Sequence, residues 1–111
     1  MIKIVAEIGI NHHGSVEMAK KMIDVASKYG CHYVKFQKRE VPLVYTKEEL
    51  EKPRESKWGK TTREQKMGLE LGRVEYDEID SYCKSKNIQW YASPWDPLSV
   101  DFLMKYNPPY M

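Results

Sequence analysis

Ile2-Lys3-Ile4-Val5-Ala6-Glu7-Ile8, His32-Tyr33-Val34-Lys35-Phe36-Gln37 and Ile88-Gln89-Trp90-Tyr91-Ala92-Ser93 are the stretches that decide the fold. Each is short, apolar and rich in β-formers, and a helical pattern follows each one. Strand–helix alternation predicts parallel strands joined by right-handed crossovers, an α/β architecture. Three such units, with a fourth strand opening at Tyr110, fit a small open sheet. They fit equally the opening β/α units of a (β/α)8 TIM barrel, which typically needs ~250 residues. In that case the 111 residues form an incomplete barrel, about three units and the start of a fourth strand.

The helices have readable ends. Behind the loop Asn11-His12-His13-Gly14, Ser15 is the expected N-cap, and Ala19, Met22, Ile23 and Ala26 fall on one helical face. Glu17 with Lys21 and Asp24 with Lys28 stand at i,i+4 spacing, and Gly30 is the expected stop. A second helix is expected over Glu75 to Lys86, with Tyr76, Ile79, Tyr82 and Cys83 as its apolar stripe and Asn87 in a left-handed position after it. A third should start behind Asp96, with Pro97 at its first position and Val100 and Leu103 inward, and stop at Asn107-Pro108-Pro109. Lys38 to Val74 shows no strand pattern. From Lys47 to Lys66, 12 of 20 residues are charged, and two Thr-x-x-Glu runs, Thr46 to Glu49 and Thr61 to Glu64, read as capping boxes. Such a connection is either an active-site loop or a solvated helical excursion.

Composition excludes several classes. With 41% hydrophobic and 12% aromatic residues, the chain has the material for a core. No apolar run approaches the ~18 residues of a membrane span, and Glu7 comes too early for a signal peptide. Its 18 basic against 16 acidic residues give a net charge of +2, which disfavours a nucleic-acid binder. Cys31 and Cys83 lack metal or redox spacing and suit reduced thiols in the cytoplasm.

Alternation along the strands separates two faces. Ile4, Ala6 and Ile8, Val34 and Phe36, and Ile88, Trp90 and Ala92 form an apolar face for covering helices. The other face carries Glu7, Lys35, Gln37 and Ser93 toward the C-terminal strand ends, where parallel α/β folds bind ligands. A carboxylate, an ammonium, an amide and a hydroxyl converging there suit a polar, anionic substrate. The plainer reading of Glu7 and Lys35 is a buried ion pair, a costly arrangement to keep without function. His12 and His13, being adjacent, point apart and chelate one metal poorly.

With these residues placed, the chain resembles the N-terminal part of the sialic acid synthase (N-acetylneuraminate synthase) family. The matching stretches are Ala6-Glu7-Ile8-Gly9-Ile10-Asn11-His12-His13-Gly14, Val34-Lys35-Phe36-Gln37, Glu75-Tyr76-Asp77-Glu78-Ile79 and Trp90-Tyr91-Ala92-Ser93-Pro94-Trp95-Asp96. The resemblance implies that residues 1–111 are part of that family's barrel domain, without its C-terminal antifreeze-like domain. It implies condensation of phosphoenolpyruvate with the aldehyde of an N-acyl amino sugar, giving a nonulosonic acid and phosphate. By resemblance Glu7 touches the sugar, Lys35, Gln37 and Ser93 bind phosphoenolpyruvate, and Asn11 and His12 shape the pocket. A divalent metal, manganese or magnesium, polarises the aldehyde in the family, but its histidines come from later strands. His13 stands where the family loop usually has asparagine or glutamate, and Met111 stands where the fourth strand usually carries lysine. The chain alone is therefore expected to be inactive. Its expected partners are the two substrates and a homo-oligomer or complementing chain, with no nucleic acid and no membrane. The competing reading is a non-catalytic module that binds an anionic metabolite or completes a partner's barrel.

Overall fold

The computed structural model describes residues 2–111. Its centre is a parallel three-stranded sheet in the order β1-β2-β5, built from β1 (Val5–Gly9), β2 (Tyr33–Lys38) and β5 (Gln89–Pro94). Both pairings are parallel, so each connection must cross back over the sheet with a helix. Helix α1 (Val16–Lys28) makes the first return, and α5 (Arg73–Ser85) completes the second. Helix α6 (Pro97–Met104) follows β5. The molecule is a mixed α/β fold with a parallel sheet, as the alternation predicts.

The apolar face of the sheet and the apolar stripes of the helices share one core. Ile8, Val34, Phe36, Trp90 and Ala92 meet Ala19, Ile23, Tyr76, Ile79, Cys83 and Leu103 there. Val34 and Phe36 are fully buried, because β2 has a strand on both sides and helices above. Aromatic rings tile the centre: Tyr76 stacks on Trp90 at 5.3 Å, and Phe36 meets both edge-on. The Tyr76 hydroxyl donates to the Gln37 carbonyl at 3.2 Å, and the Trp90 indole donates to Asp80 at 2.9 Å. Both polar handles of the buried rings are thereby satisfied.

The helix ends follow the capping chemistry. Ser15 accepts from the Met18 amide at 3.2 Å, and Asp96 accepts from the Ser99 amide at 2.7 Å with Pro97 at the first position. Gly30 and Asn87 adopt the left-handed conformation after α1 and α5, with φ of 82° and 57°. Helix α5 starts two residues earlier than the sequence suggests, behind Gly72. The surface ion pairs differ from the i,i+4 expectation. Lys20 bonds Glu78 across to α5 at 3.1 Å, and Asp24 pairs with Lys86 at 3.5 Å. Packing α1 against α5 brings those partners nearer than the in-helix ones. Val100 is only half-buried, whereas Ser99 is buried beneath its cap.

The long connection is more ordered than its composition implies. It holds α2 (Val41–Val44), α3 (Lys47–Glu51), an antiparallel ribbon of β3 (Pro53–Ser56) and β4 (Gly59–Thr61), and α4 (Thr62–Gly68). Thr46 and Glu49 form a reciprocal capping box at the start of α3, and Thr61 caps α4 through the Glu64 amide. The ribbon corrects the expectation of no strand in this segment. Its strands have no apolar alternation, and their register is held by backbone pairing and by Thr62, whose amide and hydroxyl both donate to the Lys52 carbonyl. Tyr110 is not in a strand; its ring rests edge-on against Tyr33 and Tyr91 at 5.3 and 5.4 Å.

The loop after β1 docks on this segment at Gly14. Its φ is 73°, and an added Cβ would lie 2.0 Å from the Gly68 carbonyl oxygen. Gly30 has a similar φ but nothing within 4 Å. Gly30→Ala should therefore cost only the left-handed strain, about 1 kcal/mol. Gly14→Ala adds a backbone collision and should cost at least about twice as much. Urea midpoints of the two variants check this, and equal losses would contradict the docking.

Candidate functional site

Register places the polar side chains in rows across the sheet. Glu7 pairs with Lys35 and Lys35 with Tyr91; two residues further on, Gln37 pairs with Ser93. In-register neighbours on parallel strands point the same way, so Glu7, Lys35, Gln37 and Ser93 share one face. That face lies opposite the core and points toward the C-terminal ends of the strands. Gly9 brings two of the groups together. It is left-handed at φ 57°, and an added Cβ would sit 3.3 Å from Glu7 Oε1 and 3.4 Å from Gln37 Nε2. The carboxylate and the amide thus both border a residue with no side chain.

The Glu7–Lys35 pair is not the buried ion pair of the plainer reading. Lys35 Nζ lies 3.8 Å from Glu7 Oε2, with the side chains 31% and 53% exposed. β1 is an edge strand, and nothing among the described residues covers the polar face beside it. An ion pair this open contributes at most about 1 kcal/mol, so an incoming anion can displace it cheaply. Lys35 also lies 5.9 Å from the Tyr91 ring centroid. Asn11 is exposed and lines a groove of about 510 Å³ beside β1 and α1, with Glu7, Ile8, Met18 and Met22.

His12 does not join these groups. It is 1% exposed, its ring lies 6.0 Å from Phe36 on the core side, and Nδ1 accepts the Gly14 amide at 3.0 Å. Loop closure onto the helix layer turns it away from the polar face. Burial, and to a lesser degree the neighbouring His13, lower its pKa to about 4. His13 is exposed, with φ 53°. Among the described residues no group of three or more His, Cys, Asp and Glu side chains could hold a metal ion.

The same parity continues beyond β2 and reaches residues that the strand reading stopped short of. Arg39 follows Lys35 and Gln37 in alternation, and its guanidinium lies 5.3 Å from the Trp95 ring, two residues past Ser93. Arg39 is 3% exposed. Its Nε donates to Glu70 Oε2 at 2.7 Å, its backbone amide to Glu70 Oε1 at 3.0 Å, and Nη1 to the Tyr45 hydroxyl at 2.6 Å. Nη2 is buried without a partner. Lys66 lies 5.4 Å from the same Tyr45 ring; burial first, and then Arg54 and Arg39, lower its pKa. Asp96 ties the strand ends together, accepting from the Glu40 amide at 2.6 Å and from the Ser99 hydroxyl at 2.9 Å.

Residues 22–111 match the NeuB family. An N-acetylneuraminate-9-phosphate synthase of Drosophila melanogaster is 43% identical over 112 residues, 99% of this chain and 30% of that protein. An N,N'-diacetyllegionaminic acid synthase of Campylobacter jejuni is 32% identical over 103 residues, covering 90% of this chain and 31% of the relative. The chain therefore spans about a third of the length of these curated relatives. The crystal structure of a sialic acid synthetase from Leptospira borgpetersenii superposes with a TM-score of 0.77 at 23% identity, over 96% of this chain and 34% of that one.

The His12 environment has a pH signature. Its folded pKa lies below the ordinary value of 6.5, so the unfolded chain binds the extra proton between those values. The contribution is complete above pH ~6.5 and is lost as pH falls toward about 4. Urea unfolding over that range should show stability rising with pH, with a shallower slope in His12→Asn. An NMR titration that finds the His12 ring protonating near 6.5 would contradict the buried placement.

Proposed function

The chain belongs to the NeuB family, and from that premise we propose that it forms the opening β/α units of a (β/α)8 barrel in a phosphoenolpyruvate-dependent synthase. Residues 1–111 are then one part of a single barrel domain. Two features support the placement. Both outer strands, β1 and β5, have a free edge, and the groove between β1 and α1 is apolar, lined by Ala6, Ile8, Met22 and Val25. A further strand and helix packing there would satisfy the unpaired backbone and cover the groove.

The reaction is condensation of phosphoenolpyruvate with the open-chain aldehyde of an N-acyl amino sugar. The enol carbon forms the new C–C bond, water adds to the oxocarbenium-like carbon left behind, and phosphate departs. The observation that carries this reading is the pair of in-register rows, Glu7–Lys35 and Gln37–Ser93, on one open polar face. Lys35 supplies the positive charge that an enol phosphate needs, and the Gln37 amide and Ser93 hydroxyl orient it by hydrogen bonds. Glu7, released from Lys35 when the anion binds, accepts from the sugar's hydroxyl or amide. Asn11 borders the site from the loop above β1, while His12 supports that loop from within the core. The residues present do not fit a metal site: the buried His12 has already committed Nδ1 to the Gly14 amide, and no group of three or more His, Cys, Asp and Glu donors occurs among the described residues. Free thiols at Cys31 and Cys83 fit a cytoplasmic setting, and no helix among the described residues is long and apolar enough to cross a membrane.

Isothermal titration tests the binding half of the proposal. Phosphoenolpyruvate at millimolar concentration should give heat with the native chain, and Lys35→Met should weaken binding at least about tenfold. No heat with the native chain would favour a purely structural module.

The catalytic half has its own assay. The purified chain with both substrates and manganese should release no phosphate above background, because no group of three or more metal donors occurs among the described residues. Turnover by the chain alone would overturn that expectation.

A further inference from the structure

The β3–β4 ribbon ends in a two-residue turn, Lys57 and Trp58, between the paired Ser56 and Gly59. Such turns favour glycine, asparagine or aspartate, so packing rather than turn chemistry accounts for a tryptophan there. Ser56 fixes the turn: its hydroxyl accepts from the Trp58 amide and donates to the Gly59 carbonyl, both at 3.3 Å. The indole is half-buried, and its five-membered ring lies against Gly68, where an added Cβ would collide with Cγ, Cδ1 and Cδ2. Gly68 in turn sets its carbonyl oxygen against Gly14. Ribbon tip, helix α4 and the loop after β1 therefore touch through two glycines that have no side chain to give way.

That loop has little slack to absorb a shift at Gly14. The Asn11 amide donates to the Ile8 carbonyl at 2.9 Å, His13 to Ile10 at 3.0 Å and Ser15 to His12 at 3.0 Å, so successive turns run unbroken from β1 to α1. The Gly14 amide donates to His12 Nδ1, and the His12 ring packs on Phe36 in the core. At the start of the loop, Gly9 borders Glu7 Oε1 and Gln37 Nε2. Nothing in the condensation uses Trp58. Resting on the synthase reading, we propose that Trp58 is a positioning residue: by seating the ribbon on Gly68 it clamps the loop after β1, and so fixes Gly9 and Asn11 beside Glu7, Lys35, Gln37 and Ser93. It touches no substrate. The coupling is reciprocal, so if a seated indole strengthens ligand binding, the bound ligand must hold the indole more firmly.

The test compares the native chain with Trp58→Leu, Trp58→Phe and Gly68→Ala, by NMR and by titration with phosphoenolpyruvate. Trp58→Leu and Gly68→Ala disturb the clamp from its two sides. In both, Gly14 amide exchange should quicken about tenfold while the Ile23 and Ile79 amides keep their native rates. Both should bind phosphoenolpyruvate about fivefold more weakly. Trp58→Phe keeps a flat ring on Gly68 and should bring both readings back to within about twofold of native. In the native chain, phosphoenolpyruvate should move the Trp58 Nε1–H resonance and slow Gly14 exchange. Native exchange at Gly14 in both Trp58→Leu and Gly68→Ala would overturn the clamp. So would quickened exchange at Ile23 and Ile79 as well, which would make Trp58 a purely structural residue. Unchanged phosphoenolpyruvate affinity in the variants, with the Trp58 signal unmoved by ligand, would also overturn it. Absence of phosphoenolpyruvate binding by the native chain, with Gly14 exchange quickened in Trp58→Leu, would remove the synthase reading and leave the clamp on the loop standing.

Discussion

The structure depends on β2 being paired on both sides and sealed by helices on the Val34–Phe36 face, while Lys35 and Gln37 on the opposite face stay half-buried. Parallel bonding to β1 and β5 fixes its register, and Val34 and Phe36 then have nowhere to go but the helix-covered core. Because strand side chains alternate, anchoring Phe36 inward forces Lys35 and Gln37 outward. A slip of one residue would bury an ammonium and an amide and expose two apolar side chains, a cost far above the strand's pairing energy. The apolar packing is therefore what aims the polar groups.

Charge is handled differently at the two ends of this face. The Glu7–Lys35 pair is long and half-exposed, so water screens it and its loss is cheap. The Arg39–Glu70 pair is short and buried, so each partner holds the other in place. A weak pair suits a group that must exchange partners during a reaction. A short, buried pair holds the chain rigid just past the end of β2. Both share β2 and its immediate continuation, so the same register positions both.

Much of this was legible in the sequence. Period-two alternation separated Phe36 from Lys35 and Gln37, and the capping residues Ser15, Asp96 and Thr46 marked their helices, because those signals are local. The expected burial of Glu7 and Lys35 was not met, since burial depends on what covers a face, and alternation alone does not reveal it. His12 looked like a pocket residue because its loop follows β1, but the turn folds it under, onto Phe36. The β3–β4 ribbon has no apolar pattern to announce it. The Arg39–Glu70 contact joins residues 31 apart through a charged segment that reads as solvated surface. Continuing the β2 alternation past Gln37 was the one available signal for Arg39.

We propose that the outward side chains of β2 and β5 form one ligand-binding face while the core face stays closed. Backbone NMR of the chain, recorded as phosphoenolpyruvate is added, reads this residue by residue. The amides of Lys35, Gln37 and Ser93 should shift together and saturate at one ligand concentration, with those of Ile23, Ile79 and Leu103 unmoved. Shifts centred on the helices, or saturating at different concentrations on β2 and β5, would contradict it.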